Sequence, residues 1–193
     1  VRAAFAAGLR HFGENYLQEA EDKIAATADL DGIHWHFIGP IQSNKTRAIA
    51  AHFDWVHSVD RLKIARRLSE QRPENRPPLK VCLQVNISGE ESKHGCLTPA
   101  VPAMVEQIES MYSLRLRGLM TMAPYSDNPE DARPHFQRCR ELFEELRRDG
   151  AGDGAFNLLS MGMSGDYAVA VEEGANIVRV GSAIFANRDS GSE

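Results

Sequence analysis

Residues 157–188 read NLLSMGMSGDYAVAVEEGANIVRVGSAIFANR, with small and polar residues where an anion could be held. Gly162, Ser164 and Gly165 follow one apolar run, and Gly181 and Ser182 follow the next. Backbone N–H groups approach an anion closely only where side chains are small, and helix N-termini add further donors. Two such loops after successive strands are what a phosphate cradle at the mouth of a β/α barrel requires. Ser164 also stands where it could cap a helix beginning near Asp166, which needs no ligand. Arg179 interrupts an otherwise apolar strand. Alternation places Val178 and Val180 on one face and Ile177, Arg179 and Gly181 on the other. With the valines under helices, Arg179 points into the barrel near its C-terminal mouth, where a buried guanidinium needs a ligand or an ion pair. The expectation is a site for a small phosphorylated ligand.

Three other constellations compete. Phe12-Gly13-Glu14-Asn15-Tyr16 ends the first strand, so Glu14 and Asn15 reach its C-terminal end, with Asn15 alternatively a helix cap. His34-Trp35-His36 puts two imidazoles on one strand face, a start for a Zn²⁺ site, with His57 on the next strand. These histidines open their strand, at the end away from the mouth, and no aspartate or further histidine completes the set. Lys45 falls in the first turn of a helix, where solvation is the ordinary state. No G-x-S-x-G elbow, Walker A loop or intact G-x-G-x-x-G is present.

The elements that must position these residues alternate along the chain. Strands are expected at Leu9–Glu14, Trp35–Gly39, Trp55–Val59, Lys80–Ile87, Leu116–Met122, Leu158–Gly162 and Ile177–Ile184. Helical spacing recurs between them at Leu17, Ala20 and Ile24, at Leu62, Ala65 and Leu68, at Val101, Met104, Val105 and Ile108, and at Phe136, Cys139, Leu142, Phe143 and Leu146. Asp60 and the Thr98-Pro99 pair are start signals, and Gly174 is a stop signal. Strict βα alternation implies an α/β fold with a parallel sheet. An open doubly wound sheet places its glycine-rich turn after the first strand. Here the glycine/serine loops follow the last two strands, as in a (β/α)8 TIM-type barrel. Seven strands and an opening helix fit such a barrel with its first strand absent from this chain.

Composition narrows the classes. At 193 residues and 42% apolar content, one domain with a full core is expected, over residues 1–188, followed by a tail at 189–193. The net charge of −5 removes the polybasic footprint of a nucleic-acid binder. No apolar run reaches membrane-spanning length. Cys82, Cys96 and Cys139 are odd in number and lack metal-type spacing; burial of Cys82 and Cys139 points to a reducing, cytoplasmic setting. A monomer is expected.

FGENY at 12–16, WHFIGPIQSNK at 35–45, QVNIS at 84–88, RGLMTM at 117–122, SMGMSGD at 160–166 and VRVGSAIF at 178–185 together resemble the pyridoxal 5′-phosphate (PLP) homeostasis proteins, the YggS/PROSC family. The resemblance implies a barrel like the N-terminal domain of alanine racemase, with PLP at its mouth and no established reaction. It implies that Ser164, Gly181 and Ser182 hold the phosphate, that Arg179 faces the pyridine nitrogen, and that Asn15 and Met161 line the site. The family's PLP-bearing lysine sits in an A-V-S-K-T-K-P-type segment that this chain lacks, so the Schiff-base lysine is expected upstream of Val1. PLP buffering or delivery, with PLP-dependent apoenzymes as recipients, is the implied function. The alternatives are a PLP-dependent racemase or lyase and a metal-dependent barrel hydrolase.

Overall fold

A computed structural model describes residues 1–90 and 94–185. A short helix α1 (Arg2–Ala6) precedes β1 (His11–Glu14), α2 (Leu17–Ala26), β2 (His34–Phe37), α3 (Thr46–His52), β3 (Trp55–Val59), α4 (Leu62–Gln71) and β4 (Leu79–Asn86). A two-residue strand β5 (Cys96–Leu97) leads to α5 (Val101–Glu109), β6 (Leu114–Met120), α6 (Arg133–Arg148), β7 (Leu158–Met163), α7 (Tyr167–Glu172), β8 (Ile177–Arg179) and α8 (Ser182–Phe185).

All pairings are parallel, in the order β1-β2-β3-β4-β6-β7-β8, with β5 beside the end of β4. The sheet curls into a TIM-type barrel whose first and last strands, β1 and β8, are its two ends. The seven expected strands are these seven. β5 is too short to carry a periodic signal. The last strand is shorter than expected, because the chain turns after Arg179 and continues as α8.

Apolar side chains on the outer strand faces and inner helix faces form one continuous core, including Phe12, Trp35, Phe37, Val56, Leu83, Phe136, Phe156 and Met161. The barrel interior is different. Buried side chains there include His36, His57, Trp55, Cys82, Gln84, Met120, Thr121 and Ser160. Among the described residues no helix is long and apolar enough to cross a membrane.

Side-chain bonds fix the ends of the helices. Arg72 donates to the carbonyls of Ala50 (2.6 Å) and Phe53 (2.8 Å), satisfying the C-terminal end of α3. Glu173, just beyond α7, accepts from Arg133 and Arg140 of α6, both at 2.8 Å. Asp166, not Ser164, precedes α7, and its carboxylate accepts from the Met163 N–H at 2.6 Å. Neither Asn15 nor Asp60 caps a helix: Tyr16 and Arg61 occupy those positions, without side-chain cap bonds.

Gly162, next to the last residue of β7, sits at φ +96°, where a Cβ would lie 2.6 Å from the Ala170 Cβ and 3.0 Å from the Tyr167 Cα. Only glycine permits both this backbone and this approach of α7. Gly162→Ala should therefore destabilise the fold by roughly 3 kcal/mol, read as a lowered urea midpoint. Gly165→Ala, whose Cβ meets nothing within 4 Å, should shift the midpoint by less than about 0.5 kcal/mol equivalent.

Candidate functional site

Parallel strands bring their C-terminal ends to one mouth, and the loops after β7 and β8 lie side by side there. Ser164 crosses between them. Its Oγ accepts from the Gly181 N–H at 3.1 Å and from the Ala183 N–H at 3.4 Å. A hydroxyl oxygen thus sits where two backbone donors converge, so the loops present N–H groups to a common point. Gly181 has open space where a Cβ would be, and Ser182 and Ala183 beside it are exposed. Ser164, Gly181 and Ser182 are brought together, and Ser164 links the loops rather than capping α7.

Arg179, the last residue of β8, is directed into the barrel. Its Nη1 donates to Ser160 Oγ at 2.7 Å and its Nη2 to the Thr121 carbonyl at 2.9 Å. Both acceptors are neutral, and no carboxylate forms an ion pair with Arg179 among the described residues. Burial lowers the guanidinium to about 10, so it stays protonated at neutral pH.

The other expected site residues divide. Asn15 is exposed after β1, and its side chain has no hydrogen-bond partner among the described residues. Its carbonyl lies where a Cβ on Gly39 would be only 2.1 Å away, so the loops after β1 and β2 touch backbone to backbone. Met161 does not line the mouth with its side chain. Ser160 faces the interior, so alternation turns Met161 into the outer core, where it is fully buried. Glu14 also leaves the site, because both its carboxylate oxygens accept from Lys23, at 2.8 and 2.7 Å.

That pairing occupies Lys23 as well. Lys45 is exposed at the start of α3, Lys63 is exposed on α4, and Lys80 stacks over Trp55 at 5.0 Å near the beginning of β4. Lys93 lies outside the described residues. None of the four described lysines stands beside Arg179. The thiols offer no nucleophile either, since burial pushes Cys82, Cys96 and Cys139 up to about 12.

The histidines are arranged in a line. His57 Nδ1 lies 2.7 Å from Ser160 Oγ, His57 Nε2 lies 2.8 Å from His36 Nδ1, and His36 Nε2 lies 2.9 Å from His11 Nδ1. Both ring nitrogens of His36 are therefore engaged, which removes it from a His34/His36 metal pair. Among the described residues no group of three or more metal-ligating side chains is close enough to hold an ion. Burial, then the charge of neighbouring groups, lowers His36 to about 2 and His57 to about 3. Sequence reasoning left Ser160 and Thr121 unassigned. The available signal was a polar residue on the inward face of a buried strand.

The comparisons with known proteins fit this arrangement. The model of the alanine racemase N-terminal domain matches residues 1–189. The pyridoxal phosphate homeostasis protein of Pseudomonas aeruginosa is 56% identical over 192 residues, covering all of this chain and 80% of that protein. The chain belongs to the pyridoxal phosphate homeostasis protein family. PipY of Synechococcus elongatus, solved with PLP bound, is 39% identical with a TM-score of 0.86. The match covers 95% of this chain and 85% of PipY. Alanine racemase from Corynebacterium glutamicum, 15% identical with a TM-score of 0.71 over 97% of this chain and 52% of that one, shares the fold.

The neutral histidines have a stability consequence. In the unfolded chain they take up a proton near 6.5, whereas His36 and His57 in the fold do so only near 2 and 3. The unfolded state binds more protons as pH falls below 6.5, so stability is lost in that direction, on the order of 2 kcal/mol per histidine by pH 5. Urea midpoints measured from pH 8 to 5 should fall through this range. His57→Phe should flatten that fall.

Proposed function

We propose that this chain binds pyridoxal 5′-phosphate at the barrel mouth and serves intracellular PLP homeostasis, buffering the cofactor or delivering it to PLP-dependent apoenzymes without itself catalysing a reaction. The observation that carries this reading is the convergence of the Gly181 and Ala183 N–H groups on Ser164 Oγ, next to an arginine held by neutral acceptors. Such a site fits a ligand with a phosphate at one end and a hydrogen-bond acceptor at the other. The PLP-bound PipY structure and the names of the curated relatives support the same ligand.

Ser164, Gly181 and Ser182 would hold the phosphate through backbone N–H groups and hydroxyls. Arg179 would face the ring nitrogen. Asn15 borders the same mouth. When bound, PLP supplies an electrophilic aldehyde on an electron-withdrawing ring. The protein groups around it do little to amplify that chemistry. Arg179 remains a cation and a donor, so a ring nitrogen opposite it keeps its lone pair and the ring is a weaker electron sink than one paired with an aspartate. His57, within hydrogen-bond reach of Ser160, and His36 behind it are neutral and already bonded, and the thiols are protonated. General acid/base catalysis needs a titrating group at the reacting atom, and none of these groups fills that role. A cytoplasmic location and a monomeric state complete the reading.

The experiment is an absorbance titration with PLP and with unphosphorylated pyridoxal. Ser164→Ala combined with Ser182→Ala should weaken PLP binding about tenfold or more, while pyridoxal binding changes little. Equal losses for both ligands would remove the phosphate role. Amino-acid racemisation or elimination by the PLP-loaded protein, abolished by Arg179→Ala, would replace the carrier reading with an enzyme.

A further inference from the structure

The line of polar side chains beneath Arg179 has a definite proton order. It runs from the last residue of β8 through Ser160 on β7, His57 on β3 and His36 on β2 to His11, the first residue of β1. Arg179 only donates, so its bond to Ser160 uses an oxygen lone pair. If His57 Nδ1–H also donated to Ser160, the serine proton would need another acceptor, and Ser160 Oγ has none among the described residues. The serine must then give its proton to His57 Nδ1. A neutral His57 next carries its own proton on Nε2 and donates it to His36 Nδ1. His36 does the same toward His11 Nδ1. Every gap is filled by one proton, all pointing away from Arg179.

We propose that Ser160, His57, His36 and His11 form a one-way, uncharged hydrogen-bond ladder that positions Arg179 for its ligand. Because the serine proton is committed to His57, Ser160 offers the guanidinium lone pairs alone. The Thr121 carbonyl fixes the second nitrogen, so the remaining N–H donors are left for the ligand in one orientation. The same order makes the barrel interior a dead end for protons. A proton entering at His11 cannot pass upward, because the nitrogen it would reach, His36 Nε2, already carries its own proton. The ladder therefore holds Arg179 without supplying acid to the ring.

The surroundings agree with an uncharged ladder. His57 faces Arg179, a cation. His36 is stacked on Trp55 at 5.3 Å and faces His57, His11, His34 and Lys80. His11 stacks on His34 at 4.8 Å, with Lys80 and Asp54 near it. Asp54 is the one carboxylate in this set, and it is engaged by Arg76 at 2.9 Å. His11, exposed at the foot of β1, is where solvent meets the ladder.

This inference rests on PLP as the ligand, and two measurements keep the two claims apart. The first needs no ligand. Long-range ¹H–¹⁵N correlation spectra of the histidine-labelled chain should show His57 and His36 as neutral Nε2–H tautomers at every pH from 8 to 5.5. An Nδ1–H on His57, or titration of His57 in the ordinary imidazole range, overturns the ladder. The second compares PLP with its 1-deaza analogue, which lacks the ring nitrogen. His57→Phe and Ser160→Ala should each weaken PLP binding about tenfold and leave the analogue unchanged. His57→Asn, which keeps an acceptor near the Nδ1 position, should restore most of the loss. Equal losses for both ligands would make the ladder a packing feature, and no loss for either would remove the positioning role. If the unaltered chain binds neither ligand, the PLP reading fails and so does the positioning claim, while the proton order still stands or falls on the spectra.

Discussion

A permanent cation turned into the barrel, with no carboxylate in an ion pair with it among the described residues, is the constraint around which this structure is arranged. Arg179 loses hydration on entering the interior, and its charge adds to burial in lowering the imidazole of His57. A single aspartate nearby would neutralise the guanidinium and also engage its donors. Instead the direct acceptors are a serine hydroxyl and a carbonyl, which satisfy part of the guanidinium without an ion pair, Asp166 acting on it only through space. A barrel interior that keeps an unpaired cation at its mouth is preset for an anionic or acceptor-rich ligand.

The rest of the fold can be understood as support for that mouth. Apolar packing between helices and the outer strand faces carries the stability, so the interior is free to be polar. The ion pairs of Glu173 with α6 hold α7 and the loop before it. Gly162 lets α7 lie against β7, and Ser164 ties that loop to the next. Gly181, Ser182 and Ala183 remain exposed at the mouth.

Much of this was legible in the sequence. Alternating strand and helix periods gave the parallel barrel, and the polar interruption at Arg179 in an apolar strand gave its inward direction. The glycine/serine loops were visible because few other residues let a backbone approach so closely. What stayed hidden depends on register. Ser160 becomes the partner of Arg179 only through the irregular pairing of β7 with β8, where the register shifts between Ser160 and Met163. The same alternation that turns Ser160 inward sends Met161 into the outer core. VRVGSAIF reads as one apolar strand, yet a short apolar run does not distinguish strand from helix. Here Gly181 gives its N–H to Ser164 instead of a neighbouring strand. The H-x-H pair suggested metal because spacing does not report what the imidazole nitrogens touch.

The most direct test is an experimental structure of this chain with pyridoxal 5′-phosphate bound. The account predicts the phosphate against the N–H groups of Gly181 and Ala183, and the ring nitrogen facing the Arg179 guanidinium while that guanidinium keeps its bonds to Ser160 and Thr121. A phosphate held elsewhere, or an Arg179 turned away from the ring, would contradict it.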